Sequence, residues 1–134
     1  MYGRSQEEWA DLTSAGLEFL IERAGLDRPT SYTELNAILV RRTGRSGFDF
    51  SRADERAAMG HLLWLIVQRN HPESGLMLSA LVFYLNSNEP GSGFFGLARE
   101  LDLLPAKASP RQKESFWLDQ LAQLKELYSR TNRP

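Results

Sequence analysis

Few residues in this chain could do chemistry, and type or spacing excludes most of them. There is no cysteine, which removes a thiol nucleophile, a disulfide framework and any cysteine-ligated zinc or iron–sulfur site. His61 and His71 stand ten positions apart, without the short helical spacing that places two imidazoles on one metal, so no metal site is expected. Ser79 lies in an apolar run with no G-x-S-x-G elbow around it, and reads as a small residue at a close packing contact. Asp54 with Glu55, or Asp49 with Glu34, are the residue types of acid–base or magnesium chemistry, but at helix starts they cap and complement the dipole. No catalytic residue and no cofactor is expected.

Binding chemistry is better represented. Of 16 basic residues 13 are arginine, the side chain suited to bidentate phosphate and base contacts, although GC-rich codon usage produces the same excess. Arg41, Arg42 and Arg45, followed by Arg52 and Arg56, join the end of one expected helix to the start of the next. That is where helix-turn-helix modules meet phosphates and bases. The alternative is a solvated loop whose arginines cap a helix C-terminus. Pro90-Gly91-Ser92-Gly93-Phe94-Phe95-Gly96 follows an expected strand and precedes an expected helix, but matches neither the dinucleotide fingerprint nor the Walker loop. Gly91 and Gly93 are therefore read as turn or wing residues needing positive φ.

The elements that position these residues are mostly helical. Ser5 caps a first helix over about 6–24, with Glu7 and Glu8 in its first turn and Gly25 as its stop. Ser31 and Glu34 have capping-box spacing for a second helix, about 32–42. A third begins near Ser51 and runs to Asn70, apolar nearly all round and so expected at the centre of the core, with His71-Pro72 ending it. Residues 76–85 are the strand candidate, and 47–50 or 92–95 could supply a second short one. A short helix over 94–101 and a linker precede Ser109-Pro110, which open a last helix to about 130. That helix carries Trp117, Leu121, Leu124 and Tyr128 at helical spacing, as a core face or as the seam of a protein partner or homodimer.

Charge is arranged in blocks. Residues 1–27 hold two arginines against six acids, and residues 28–72 hold seven arginines against four acids. Residues 73–105 are acidic again and 106–134 basic, which leaves a net −1 over 134 residues. The near-neutral total provides no global attraction to nucleic acid, while the basic middle can supply a local one. No apolar leader begins the sequence and no run is long enough to span a bilayer, so a cytoplasmic protein with no membrane partner is expected.

Ser31-Tyr32-Thr33-Glu34-Leu35, Arg56-Ala57-Ala58-Met59-Gly60, the run Leu78–Val82 and Gly91-Ser92-Gly93 follow one another in an order that resembles the winged-helix DNA-binding domain of alkylguanine-DNA alkyltransferases and alkyltransferase-like proteins. The resemblance covers residues 29–96 at most. It implies a winged-helix scaffold with Tyr32 beside a DNA phosphate and Arg56 at the base stack. One extra residue between Arg56 and Gly60 and a longer 43–52 loop depart from the family pattern. Ser79 stands where the acceptor cysteine would be, which excludes alkyl transfer.

The expectation is one α+β domain, predominantly helical: an N-terminal helix (1–28), a winged-helix-like core with a small β-hairpin (29–104), and a linker with an added C-terminal helix (105–134). The leading functional expectation is a non-enzymatic DNA-binding module using Tyr32, Arg41, Arg42, Arg45, Arg52, Arg56, Gly91 and Gly93, with affinity falling steeply as salt rises. The alternative is a protein-interaction subunit, such as an adaptor, antitoxin or immunity-type partner, using Trp117, Leu121, Leu124 and Tyr128. A small metal-dependent nuclease using Asp49, Asp54 or Glu55 ranks last.

Overall fold

The computed structural model describes residues 1–84 and 90–131. The order is α1 (Gln6–Gly25), β1 (Thr30–Ser31), α2 (Tyr32–Thr43), α3 (Ala53–Ser74), a 3-10 turn (Leu78–Leu81), β2 (Val82–Phe83), α4 (Ser92–Glu100) and α5 (Pro110–Thr131). The class is the expected predominantly helical α+β.

Local chemistry explains the helix starts. At α1 the Ser5 hydroxyl accepts the Glu8 N–H while the Glu8 carboxylate accepts the Ser5 N–H, a complete capping box. Ser109 and Gln112 build the same reciprocal pair before α5. Before α2 only half of the box forms: Ser31 Oγ accepts the Glu34 N–H, but the Glu34 carboxylate turns to the Thr30 hydroxyl (2.6 Å) and Arg23 (2.9 Å). α3 starts after Arg52, which makes no side-chain cap.

Helix ends differ from expectation at two places. The left-handed residue behind α1 is Asp27 (φ 55°), two positions beyond Gly25, and the Arg28 N–H closes the turn on the Arg23 carbonyl. α3 runs a further turn through Pro72, which forfeits one hydrogen bond, and stops where Gly75 (φ 73°) donates to the His71 carbonyl.

α1 lies against α2, α3, α5 and the 3-10 turn. The core is filled by Leu12 and Leu20 of α1, Leu35 and Leu39 of α2, Leu62 and Ile66 of α3, and Leu124 of α5. α3 is not enclosed all round, because Arg56, Gly60 and Trp64 on one side face outward, Trp64 at 41 % exposure.

The largest departure lies in residues 76–85. Leu76 to Val82 are buried as expected, but the run is a 3-10 turn plus a two-residue strand. β2 pairs with β1 in parallel, Thr30 opposite Val82 and Ser31 opposite Phe83. The expected local hairpin is replaced among the described residues by this long-range pair and one antiparallel bridge, Phe83 to Pro90. No strand forms at 47–50 or 92–95. Leu85, the last residue of the expected strand, and the expected turn residues 86–89 lie outside the described residues. The buried backbone of the run is satisfied by side chains: Met77 N–H donates to Gln120 Oε1 (2.8 Å), Leu78 N–H to Asn70 Oδ1 (2.9 Å), and Ala80 O accepts Trp117 Nε1 (2.8 Å).

Candidate functional site

Where α2 begins, α3 passes and β2 ends, a cleft opens with Tyr32, Arg56 and Tyr84 common to its two compartments. Tyr32 is the first residue of α2, set by the Ser31 cap, and its ring lies 4.9 Å from that of Tyr84 and 6.5 Å from that of Phe50. The outer compartment, about 280 Å³, adds Phe50, Met59 and Phe83. The inner one, about 420 Å³, adds Trp64, Ser79, Gly91, Phe94 and Glu100.

Arg56 donates to the Phe50 carbonyl (2.7 Å) and carries no carboxylate partner among the described residues. Arg56, Gly60 and Trp64 are four apart on α3 and form one stripe along the cleft. Burial, and secondarily the neighbouring Tyr84, push the Tyr32 hydroxyl up to about 12, with the Gly91 backbone N–H acting in the opposite sense. Ser79 is 4 % exposed, and its hydroxyl has no hydrogen-bond partner among the described residues.

Gly91 is required for a reason other than the expected one. Its φ is −67°, at the N-cap of α4, so no left-handed backbone is involved. A Cβ there would lie 2.6 Å from Tyr32 Oη and 3.3 Å from Tyr84 Oη, so glycine lets the backbone approach both phenols. Gly93 lies within α4, also without positive φ, and lines the inner compartment.

The arginine segment divides. Arg42 binds Glu22 through both terminal nitrogens (2.8 and 3.2 Å), with its guanidinium 5.4 Å from the Phe19 ring. Arg45 binds Asp11 at 2.8 Å with Glu7 at 4.0 Å, and Arg52 binds Asp54 at 2.6 Å. Arg41 is exposed on α2. The acidic first helix and the basic middle are therefore two sides of one intramolecular contact, and Arg56 is the arginine of this segment that reaches the cleft.

The carboxylates considered for catalysis are engaged in the same way. Glu55 takes two bonds from Arg4 (2.8 and 3.0 Å), which hold its carboxyl below the ordinary value. The Ser51 hydroxyl and N–H do the same for Asp49. Burial, with the amino-terminal charge behind it, lowers His61, whose ring lies against Trp9 (4.8 Å) and Trp64 (5.7 Å). Among the described residues no three His, Asp or Glu side chains gather in a metal-binding group.

Of the residues considered for a partner seam, Leu124 is fully buried, and Trp117, Leu121 and Tyr128 pack half-buried on the chain's own core. The cleft residues that the sequence did not mark are Phe50, Trp64, Tyr84 and Glu100. Only Trp64 carried a signal, its spacing of eight from Arg56 through Gly60 on a helix otherwise apolar. No protein-family model, curated protein or solved structure matches this chain. No helix among the described residues is long and apolar enough to cross a membrane.

Proposed function

We propose that this chain is a non-enzymatic nucleic-acid-binding module of winged-helix type that accepts an unpaired base in the Tyr32–Tyr84 cleft. The observation that carries the reading is a cleft combining Tyr32, Tyr84 and Trp64 with Arg56, an arginine that no carboxylate neutralises among the described residues. Aromatic faces stack bases with little regard to sequence, and an adjacent guanidinium takes the phosphate. The chain order is what supports it: α2 and α3 follow one another, each packed on α1, and the Phe83–Pro90 bridge comes after them where a wing would stand. Arg42, Arg45 and Arg52 are spent inside the molecule, so binding should depend on few phosphates.

Anisotropy titration of labelled single strands and duplexes at 50–100 mM salt, roughly the range where phosphate contacts are strong, tests this. Binding is expected, favouring single strands, and Arg56→Ala or Tyr84→Ala should weaken it about tenfold, as loss of a stacked base or charged contact does. Absence of binding to any strand overturns the reading.

One observation favours a second reading, a protein-interaction subunit. Arg42 and Arg45 are paired with Glu22 and Asp11 of α1, and the outer compartment is lined mostly by aromatic and apolar side chains, among them Phe50, Met59 and Phe83. Retention of a co-purifying protein that Tyr84→Ala releases, with no nucleic acid bound, would select it.

A further inference from the structure

We infer that the cleft holds two consecutive unpaired nucleotides, one base in each compartment and the phosphodiester between them on Arg56, a step that rests on the cleft being a nucleic-acid site. The cleft is divided. Its compartments have Tyr32, Arg56 and Tyr84 in common, and each adds aromatic residues of its own. Phe50 and Phe83 belong to the outer one, about 280 Å³, and Trp64 and Phe94 to the inner one, about 420 Å³. Each is at the small end of the range for small-molecule sites, roughly 300–1,000 Å³, and suits one planar ring system. Bases of a single strand can splay onto separate aromatic side chains while the backbone that joins them stays continuous.

Charge fixes what lies between the two rings. Arg56 is the arginine of the shared wall, and one of its terminal nitrogens donates to the carbonyl of Phe50, an outer-compartment residue (2.7 Å). Its guanidinium has no carboxylate partner among the described residues, and one guanidinium matches one phosphate. Glu100 is exposed and lines the inner compartment, where its carboxylate repels a second phosphate and leaves the place to a base.

The inner compartment also has room that the fold itself does not use. Gly60 of α3 and Gly93 and Gly96 of α4 line it, and a Cβ on any of them would have nothing within 4 Å. None has a positive φ. Neither packing nor backbone conformation therefore calls for glycine at these helical positions, and each one costs helix stability. Their missing side chains leave space over two helix backbones for a flat ring.

The test is strand length, read with the full chain at fixed pH and salt. Thymidine monophosphate (dTMP), the dinucleotide TpT and the trinucleotide TpTpT compete against a labelled ten-nucleotide dT strand. TpT should displace the strand at a concentration at least about tenfold below that of dTMP, the worth of one further stacked base. TpTpT should gain only about twofold more, because it offers a two-nucleotide site two registers. Gly60→Leu puts a side chain into the inner compartment and should bring TpT to within about twofold of dTMP. That variant should unfold at the wild-type temperature or above, because leucine favours helix over glycine and its Cβ meets no neighbour. TpT no tighter than dTMP, a further steep gain from TpT to TpTpT, TpT unaffected by Gly60→Leu, or a destabilised Gly60→Leu protein overturns the inference and leaves the cleft reading standing. Failure of the labelled strand to bind overturns both.

Discussion

Gly91 shows how one atom sets the site. With a hydrogen where other residues carry Cβ, the backbone sits against Tyr32 Oη, and a methyl group would arrive at 2.6 Å. Gly91→Ala should therefore displace the tyrosine and cost about 1–3 kcal/mol, the range for overpacking a filled site, measured by chemical denaturation. Tyr32 itself is testable by absorbance titration: one tyrosine should ionise near 12, and that step should vanish in Tyr32→Phe. Because the fold holds this phenol above its ordinary value of 10, its contribution to stability is full below pH 10 and is lost as pH rises through about 12. Glu55 has the opposite sign. Arg4 lowers its carboxyl from 4.5, so its contribution is present above that value and disappears on acidification. Both side chains are nearly covered, at 8 % and 13 % exposure, and Arg4→Ala should cost about 3 kcal/mol at neutral pH, as breaking a buried pair does. The deficit should shrink below pH 4 in urea denaturation; a pH-independent deficit would mean that packing of Arg4 on Phe48, not charge, is what is lost.

At the scale of elements, Gln120 and Asn70 hold the 77–78 backbone in place of a strand partner. Gln120→Leu should leave the Met77 N–H unpaired and cost about 2 kcal/mol, read as a lower denaturation midpoint. Leu124→Ala, opening a cavity beneath α5, should cost about 3 kcal/mol. These two elements mark the border of what the sequence allows one to read. Helices were legible because their signals are local: Ser5 with Glu8 and Ser109 with Pro110 state where a chain begins to coil. Residues 76–82 were legible as buried and not as coiled, because apolar composition reports burial, while their backbone is satisfied by the Asn70 side chain across the end of α3 and by Gln120, 43 residues beyond Met77. The cleft was legible in part for the same reason. Tyr32, Arg56 and Gly91 each stood in a recognisable local pattern, whereas Tyr84 joins them through the long-range pairing of β1 with β2, and Phe50 and Glu100 line the cleft from the loop before α3 and the end of α4.

At the scale of the molecule, the blocks of charge resolve into an internal clasp. Arg42 and Arg45 meet Glu22 and Asp11 across α1 and α2, so a patch that looked available for phosphates is largely occupied. The expectation of a steep salt dependence changes with it. If Arg56 is the contact left to a single strand, log affinity against log salt should have a slope of about −0.7, from one phosphate. A slope of about −3 or steeper would require the clasp to open. The central claim, that binding belongs to the cleft and not to the arginine segment, is tested most directly by amide and indole chemical-shift mapping during titration with a short single strand. Shifts concentrated at Tyr32, Arg56, Tyr84, Gly91 and the Trp64 indole are the predicted result. Shifts confined to the Arg41–Arg45 face, or none at saturating strand, would contradict it.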